Sequence, residues 1–317
     1  MSNDLTIRHD SGDCSEVNIL SLSGGKDSTA MLLLAIERET ENLRCIFADT
    51  GNEHPITYEY IDYLESKVGL KIRHIKAEYK ERIEKKRQRL IAEGAPQEKI
   101  DGTIYTGNPF LDMAIYHGRF PSARARFCTI ELKQDVIKKQ VFDPVLAEGN
   151  DIESWQGIRW DESKSRQCAK EHDLSYANKN TGAEVWNYRP ILSWTADDCF
   201  AMMKKHGVKP NPLYKLGCGR VGCMPCINCR KSELAQIGAR FPEQVARIEE
   251  WEAKVQRVCP LCTFFSWKGD NGSLSKGIRS AVEWAKTDRG GRQFGLFDDW
   301  ENLPMCQSNY GLCEMPS

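Results

Sequence analysis

The string Ser23-Gly24-Gly25-Lys26-Asp27-Ser28 constrains this chain most, because it sits between the apolar run Val17 to Leu22 and a second one from Ser28 to about Glu37. A short buried strand, a turn with adjacent glycines and an apolar helix together let backbone N–H groups approach oxyanions closely, with the helix N-terminus adding its dipole. Lys26 supplies a mobile positive charge, and Ser23 and Ser28 supply hydroxyl donors. The spacing differs from the Gly-x-x-x-x-Gly-Lys-Ser/Thr of the Walker loop. A turn that only capped a strand would not require the lysine, the hydroxyls and both glycines together. The string therefore reads as a loop that cradles phosphate oxygens.

The rest of the N-terminal half fits that start. Leu43 to Ala48 reads as a second apolar strand that runs into Asp49-Thr50-Gly51. Pro55 suits the first turn of a helix reaching about Val68, with Gly69 at its end. Lys71 to Ala77 reads as a third strand, charged enough to lie at an edge. The alternation predicts an α/β fold: a parallel twisted sheet with helices on both faces. Residues 94–126 read as a long substrate-facing loop, followed by a helix from Thr129 to about Leu146 and a strand through Ile152 to Ile158. Thr195 and Asp198 form a capping box and Gly207 a stop, which predicts a helix over Thr195 to His206. Residues 15–232 are assigned to a nucleotide-binding domain and 233–317 to a helical C-terminal region with further cysteine pairs.

A formal net charge of −1 offers no global attraction to nucleic acid. Local charge is concentrated in residues 71–89, which carry Lys71, Arg73, Lys76, Lys80, Arg82, Lys85, Lys86, Arg87 and Arg89, interrupted by Glu78, Glu81 and Glu84. That segment reads either as a solvated, ion-paired helix face or as a surface for a polyanion such as nucleic acid. The apolar run Ala30 to Ile36 is too short to span a bilayer, and no signal peptide is evident, so a cytoplasmic protein with no membrane partner is expected. In that reducing compartment the 13 cysteines are not a disulfide framework. Cys14, Cys45, Cys168 and Cys199 read as small core residues, whereas the others cluster.

The Ser-Gly-Gly-Lys-Asp-Ser string resembles the signature of the PP-loop ATP pyrophosphatase superfamily, whose members cleave ATP between the α and β phosphates and leave an adenylated substrate. Cys45-Ile46-Phe47-Ala48-Asp49-Thr50-Gly51 resembles the second strand and turn of the branch that contains sulfate adenylyltransferase small subunits and phosphoadenylyl-sulfate (PAPS) reductases. Gly157-Ile158-Arg159-Trp160-Asp161-Glu162-Ser163-Lys164-Ser165-Arg166 is similar to a further stretch of that branch. Arg159 and Arg166 suit bidentate contacts to phosphate or sulfate oxygens, and Lys164 suits neutralisation of further charge.

Cys218, Cys223, Cys226 and Cys229 place four thiols within twelve residues, a spacing that fits tetrathiolate zinc or an iron–sulfur cluster. Val221 to Cys226 resembles the Ile-Gly-Cys-x-Pro-Cys segment of adenylyl-sulfate (APS) reductases, which hold a [4Fe–4S] cluster. Arg126-Phe127-Cys128-Thr129 resembles the distant segment that completes it, with Phe127 in place of one cysteine. Pro212-Leu213-Tyr214 also fits the family. The resemblance implies Cys128, Cys223, Cys226 and either Cys229 or Cys218 as ligands. Structural zinc on the local thiols is the alternative. Cys259, Cys262, Cys306 and Cys313 form either a second zinc site or none.

The tail reads Tyr310-Gly311-Leu312-Cys313-Glu314, where the reductases carry Glu-Cys-Gly-x-His, and the nucleotide loop they usually alter is intact here. Both departures favour ATP as substrate. The combination is similar to the ATP pyrophosphatases of DNA phosphorothioation and related thiolation enzymes. It implies that Lys26 and the loop amides bind the departing pyrophosphate. It also implies Mg²⁺ placed by Asp27 or Asp49, phosphates held by Arg159, Lys164 and Arg166, and a sulfur-donor protein as partner. Sulfonucleotide reduction and nucleotide sensing without turnover are the alternatives.

Overall fold

The computed structural model describes residues 15–163, 166–265 and 277–287. Six strands form one sheet: β1 (Glu16–Leu22), β2 (Leu43–Asp49), β3 (Ile72–Lys76), β4 (Asp151–Trp155), β5 (His172–Ala177) and β6 (Glu184–Tyr188), in the order β3-β2-β1-β4-β6-β5. All neighbours pair in parallel except β5, which runs antiparallel to β6 at the edge. The sheet is thus mixed and mostly parallel. The β5–β6 hairpin is an addition to the sequence expectation: its outer strand is largely polar and half-exposed, without the apolar run that marks a buried strand.

Alternation along β1 distributes its side chains between two cores. Leu20 and Leu22 pack with α1 (Lys26–Glu37), α2 (Pro55–Val68) and α7 (Ala196–Lys205). Val17 and Ile19 pack on the other face with Val136, Val141 and Val145 of α6, the helical stretch 127–147, which contains two wide π-helical turns. Helices therefore cover both faces, as expected for a sheet this apolar.

Helix ends follow local chemistry. Pro55 opens α2, and Gly69 closes it at φ 70°, the left-handed conformation that glycine adopts freely. Thr195 and Asp198 cap α7 reciprocally. Residues 94–126 depart from the expected long loop: they hold α4 (Gln97–Gly102) and α5 (Pro109–His117). Asn108 caps α5 through its side chain, and residues Pro109 to Ile115 are all buried. A helix buried on every side shows no amphipathic period, so its sequence looks patternless.

The remaining helices are α3 (Lys80–Ala92), α8 (Lys231–Arg240), α9 (Pro242–Gln256) and α10 (Ile278–Ala285). The C-terminal three share one core with the α3–α5 region; Phe110 of α5 stacks on Trp251 of α9 at 5.7 Å. The expected division at 232/233 falls inside α8, whose Leu234, Ala235 and Ile237 share that core with Phe110 and Leu111 of α5. Among the described residues no helix is long and apolar enough to cross a membrane.

Strand order fixes where a ligand can sit. The chain moves from β1 outward to β3, then returns to place β4 on the other side of β1. Loops leaving the C-terminal ends of β1 and β4 separate there, and such a switch point opens a crevice at the sheet's carboxyl edge. Residues 23–28 leave β1, Asp49-Thr50-Gly51 leaves β2, and residues 157–163 follow β4.

Candidate active site

Gly24 takes φ 71°, and Gly25 caps α1 with no side-chain acceptor. The first-turn N–H groups of α1 are thereby left to polar partners from outside the helix. The Lys26 N–H donates to the Tyr214 hydroxyl at 2.8 Å, and the Asn211 side-chain amide donates to the Gly24 carbonyl at 3.2 Å. Ser23 and Ser28 face each other, Oγ to Oγ 3.2 Å, and Ser28 Oγ donates to the Gly25 carbonyl. Lys26 is 5% exposed, with its ammonium 3.3 Å from Asp27 Oδ2 and 5.8 Å from the Tyr214 ring centre.

Asp27 is engaged at both oxygens. Arg159 Nε donates to Oδ1 at 2.6 Å, while its Nη1 pairs with Asp161 at 2.6 Å. Burial works against the Arg159 charge, but Asp27 and Asp161 outweigh it and hold the guanidinium above its usual range. Arg159 thus reaches the Ser23–Ser28 loop through Asp27. Arg166 pairs with Glu162, whose carboxylate also accepts the Arg159 N–H. Gly157 explains the close fit of the two loops: a Cβ there would lie 3.3 Å from the Asp27 carbonyl carbon and the Ser28 nitrogen. Lys164 lies outside the described residues.

The turn after β2 is organised by a residue the sequence did not single out. Buried Glu53 accepts the Thr50 hydroxyl at 2.7 Å and the N–H groups of Thr50 and Asn52 at 3.2 Å. Burial raises its carboxyl, with Lys133 opposing. Asp49 accepts the Gly51 N–H and the Tyr58 hydroxyl, both on Oδ1, at 2.8 and 2.7 Å.

The cysteine loop docks on that turn. Glu53 and Cys223 form a β-bridge, the Met224 N–H donates to the Asn52 carbonyl at 2.8 Å, and the Asn52 side chain donates to the Pro225 carbonyl at 3.0 Å. Thr50 Oγ1 lies 3.4 Å from Cys223 Sγ. Arg247 of α9 pins the assembly by donating to Asn52 Oδ1 at 2.8 Å and to the Met224 carbonyl at 2.7 Å. Arg247→Ala leaves those two acceptors without a donor in a largely buried site and is expected to cost about 2–4 kcal/mol. Chemical denaturation of the pure proteins checks this, and an unchanged midpoint would show that the clamp contributes nothing.

Cys226 interacts electrostatically with each of Cys128, Cys223 and Cys229, which places those four thiols in one neighbourhood. Lys133, one turn along α6 from Cys128, faces Cys223, Glu53, Cys226 and Cys128; burial opposes its charge, yet these neighbours hold it above the usual range. Arg220 lies beside Cys226 and Cys229. Burial pushes the Cys223 thiol up to about 12. A half-buried set of thiols flanked by cations is a donor set suited to soft metal chemistry. Among the described residues no three His, Cys, Asp or Glu side chains meet at the spacing of a single-ion site. Cys218 sits instead in the apolar core, near Glu233 and Arg240.

Cys45 and Cys199 are buried as expected, whereas Cys168 is exposed, because it sits in the loop after residue 163 rather than in an apolar element. Cys199 also touches Asp27 at 3.6 Å. Cys259 is half-buried and Cys262 buried. Cys14, Cys306 and Cys313 lie outside the described residues.

A mostly parallel α/β sheet with a glycine-rich loop at its switch point is the architecture of a nucleotide-binding fold. The phosphoadenosine phosphosulfate reductase domain family matches residues 17–229, and the chain belongs to that family. Over 95% of its length it is 44% identical to the uncharacterized 37.8 kDa protein in the gpa 5' region of Escherichia phage 186, covering 97% of that relative. It is 26% identical to the phosphoadenosine 5'-phosphosulfate reductase of Buchnera aphidicola, over 64% of this chain and 68% of that one. Among solved structures it matches the phosphoadenylyl-sulfate reductase of Candida auris with TM-score 0.41 at 14% identity, over 66% of this chain and 82% of that one.

Proposed function

We propose that this family member cleaves ATP between the α and β phosphates and so activates a substrate for sulfur transfer. The observation that carries this reading is the segment running from Asn211 through Tyr214 to Cys226. It binds the intact nucleotide loop through Asn211 and Tyr214, and twelve residues past Tyr214 it carries Cys226 among the clustered thiols. Nucleotide and thiol chemistry are thereby tied together by one stretch of backbone.

In this reaction a substrate oxygen attacks the α phosphorus, the α–β anhydride breaks, and pyrophosphate leaves with the bond's electron pair. Sulfur then displaces AMP from the adenylated substrate. Lys26 and the loop N–H groups stabilise charge building on pyrophosphate, and Mg²⁺ would add Lewis-acid stabilisation of the phosphates when bound. Asp49 would be the carboxylate to hold the ion, because both Asp27 oxygens are bound whereas the two hydrogen bonds to Asp49 share Oδ1. Asp27 instead positions Arg159, which with Lys164 and Arg166 holds the phosphates. Cys128, Cys223, Cys226 and Cys229 would hold a [4Fe–4S] cluster, which supplies electrons or sulfur-relay chemistry when bound. Zinc on the same thiols would only brace the loops. The sulfur comes from a donor protein.

The second reading, reduction of a sulfonucleotide, is favoured by the reductase names of relatives such as that from Buchnera. Chromatography of products from ATP tests the first: AMP and pyrophosphate are expected, whereas unchanged ATP, or ADP and phosphate, would contradict it.

A further inference from the structure

We propose that the groove between α3 and the C-terminal end of α5 binds the phosphodiester backbone of a nucleic acid. A cavity of about 690 Å³ opens there, lined by Arg82, Lys85, Lys86, Arg89 and Lys99, with Glu93 among them. The first four recur at i, i+3, i+4 and i+7 of α3, so they share one helix face. Lys86 forms the floor, donating to the carbonyls of Ile115 and Tyr116 at 3.0 and 2.7 Å, which holds its ammonium in the groove. Arg82 lies over the Tyr116 ring at 4.2 Å and pairs with Glu131 at 2.8 Å.

These cations outnumber their anions. Arg89 meets Glu93 only in an exposed pair at 3.4 Å, and among the described residues Lys85 and Lys99 have no carboxylate partner. Burial, with repulsion from Lys99 and Arg89, pushes the Lys86 ammonium down to about 8. A multivalent anion relieves that repulsion. A single small phosphate can engage only two or three donors, whereas cations repeating along a 13-residue helix suit a chain of phosphates. Lys71 and Arg73 line a different cavity with residues of β2 and α6, so only the α3 part of the basic segment forms this surface. His117, also on the groove wall, lies 4.4 Å ring to ring from Phe127, the neighbour of Cys128. No residue of the Ser23–Ser28 loop lines the groove, and the proposal stands independently of ATP cleavage.

Fluorescence anisotropy of the full chain with a labelled DNA of about 20 nucleotides, single-stranded and duplex, tests it in buffers from about 50 to 200 mM salt. Binding of either DNA is expected to weaken on the order of 10²-fold across that range, as for about four phosphate contacts. Lys85→Gln/Lys99→Gln should bind about tenfold more weakly and show a salt slope lower by about 2, with an unchanged melting temperature. Lys71→Gln/Arg73→Gln should match the wild type. No binding of either DNA at low salt, or wild-type binding by Lys85→Gln/Lys99→Gln, would overturn the proposal. Displacement of DNA by millimolar inorganic phosphate would show a single-anion pocket instead, and tighter capture of poly-glutamate would show an acidic protein site; either also overturns it.

Discussion

Lys26→Ala lowers ATP turnover on the order of 10²-fold or more and leaves the fold intact, if this residue supplies the positive charge for departing pyrophosphate. The structure gives a reason to expect a clean effect. The backbone bond from Lys26 to Tyr214 does not involve the side chain, and Asp27 keeps its 2.6 Å partner Arg159 when the ammonium is removed. Gly25→Val should be worse. Its Cβ alone would meet the Tyr214 hydroxyl at 3.4 Å, Ser23 Oγ at 3.5 Å and the Val221 carbonyl at 3.7 Å, and the two γ-methyls need space beyond that. Gly25 has φ −89°, so the loss there comes from space, not from backbone conformation. Pyrophosphate release at saturating ATP, with melting curves as the folding control, measures both. Wild-type turnover in the two variants would place the nucleotide elsewhere.

With the proposed cluster in place, Cys223→Ala is expected to abolish the iron and sulfide content of protein purified without oxygen, and with it a brown colour expected of the wild type at one cluster per chain. Removal of one thiolate opens the cage that four ligands close. Cys128→Ala should do the same from a different element, the start of α6, which guards against a purely local loop defect at Cys223. Cys218→Ala should keep the colour, because that thiol lies in the apolar core beside Glu233 and Arg240 rather than among the other four. Stoichiometric zinc with negligible iron would remove the cluster from the account, and colour surviving Cys223→Ala would remove this ligand set.

What the sequence made legible was local. The glycine turn between two apolar runs, Pro55 and Gly69 bracketing α2, and the Thr195–Asp198 cap each depend on residues within a few positions of one another. The α5 helix was not legible, because burial of Pro109 to Ile115 erases the polar face that would mark its period. The site was legible as separate signatures but not as one object. Only the fold shows that the Cys223–Cys226 stretch lies on the Asn52–Glu53 turn, 170 or more residues earlier, or that Arg247 bridges both. Glu53 had no motif to mark it. A carboxylate four residues after Asp49, just before the Pro55 helix start, was the available signal, and it gains meaning only when the β2 turn is seen closing around it. Arg159 illustrates the converse: its type suggested a direct phosphate grip, while its first partners are Asp27 and Asp161.

A direct comparison of ATP and adenylyl sulfate as substrates tests the central claim. An intact Ser-Gly-Gly-Lys-Asp-Ser loop serves a pyrophosphate leaving group, which ATP has and adenylyl sulfate lacks. The tail lacks the Glu-Cys-Gly-x-His setting of the reductases, so no histidine stands near Cys313 in sequence to generate its thiolate. Oxygen-free enzyme with Mg²⁺ is therefore expected to convert ATP to AMP and pyrophosphate, to yield little sulfite from adenylyl sulfate even with thioredoxin supplied, and to keep its ATP reaction in Cys313→Ser. Robust sulfite formation that disappears in Cys313→Ser, with no AMP formed from ATP, would contradict the account and make the protein a reductase.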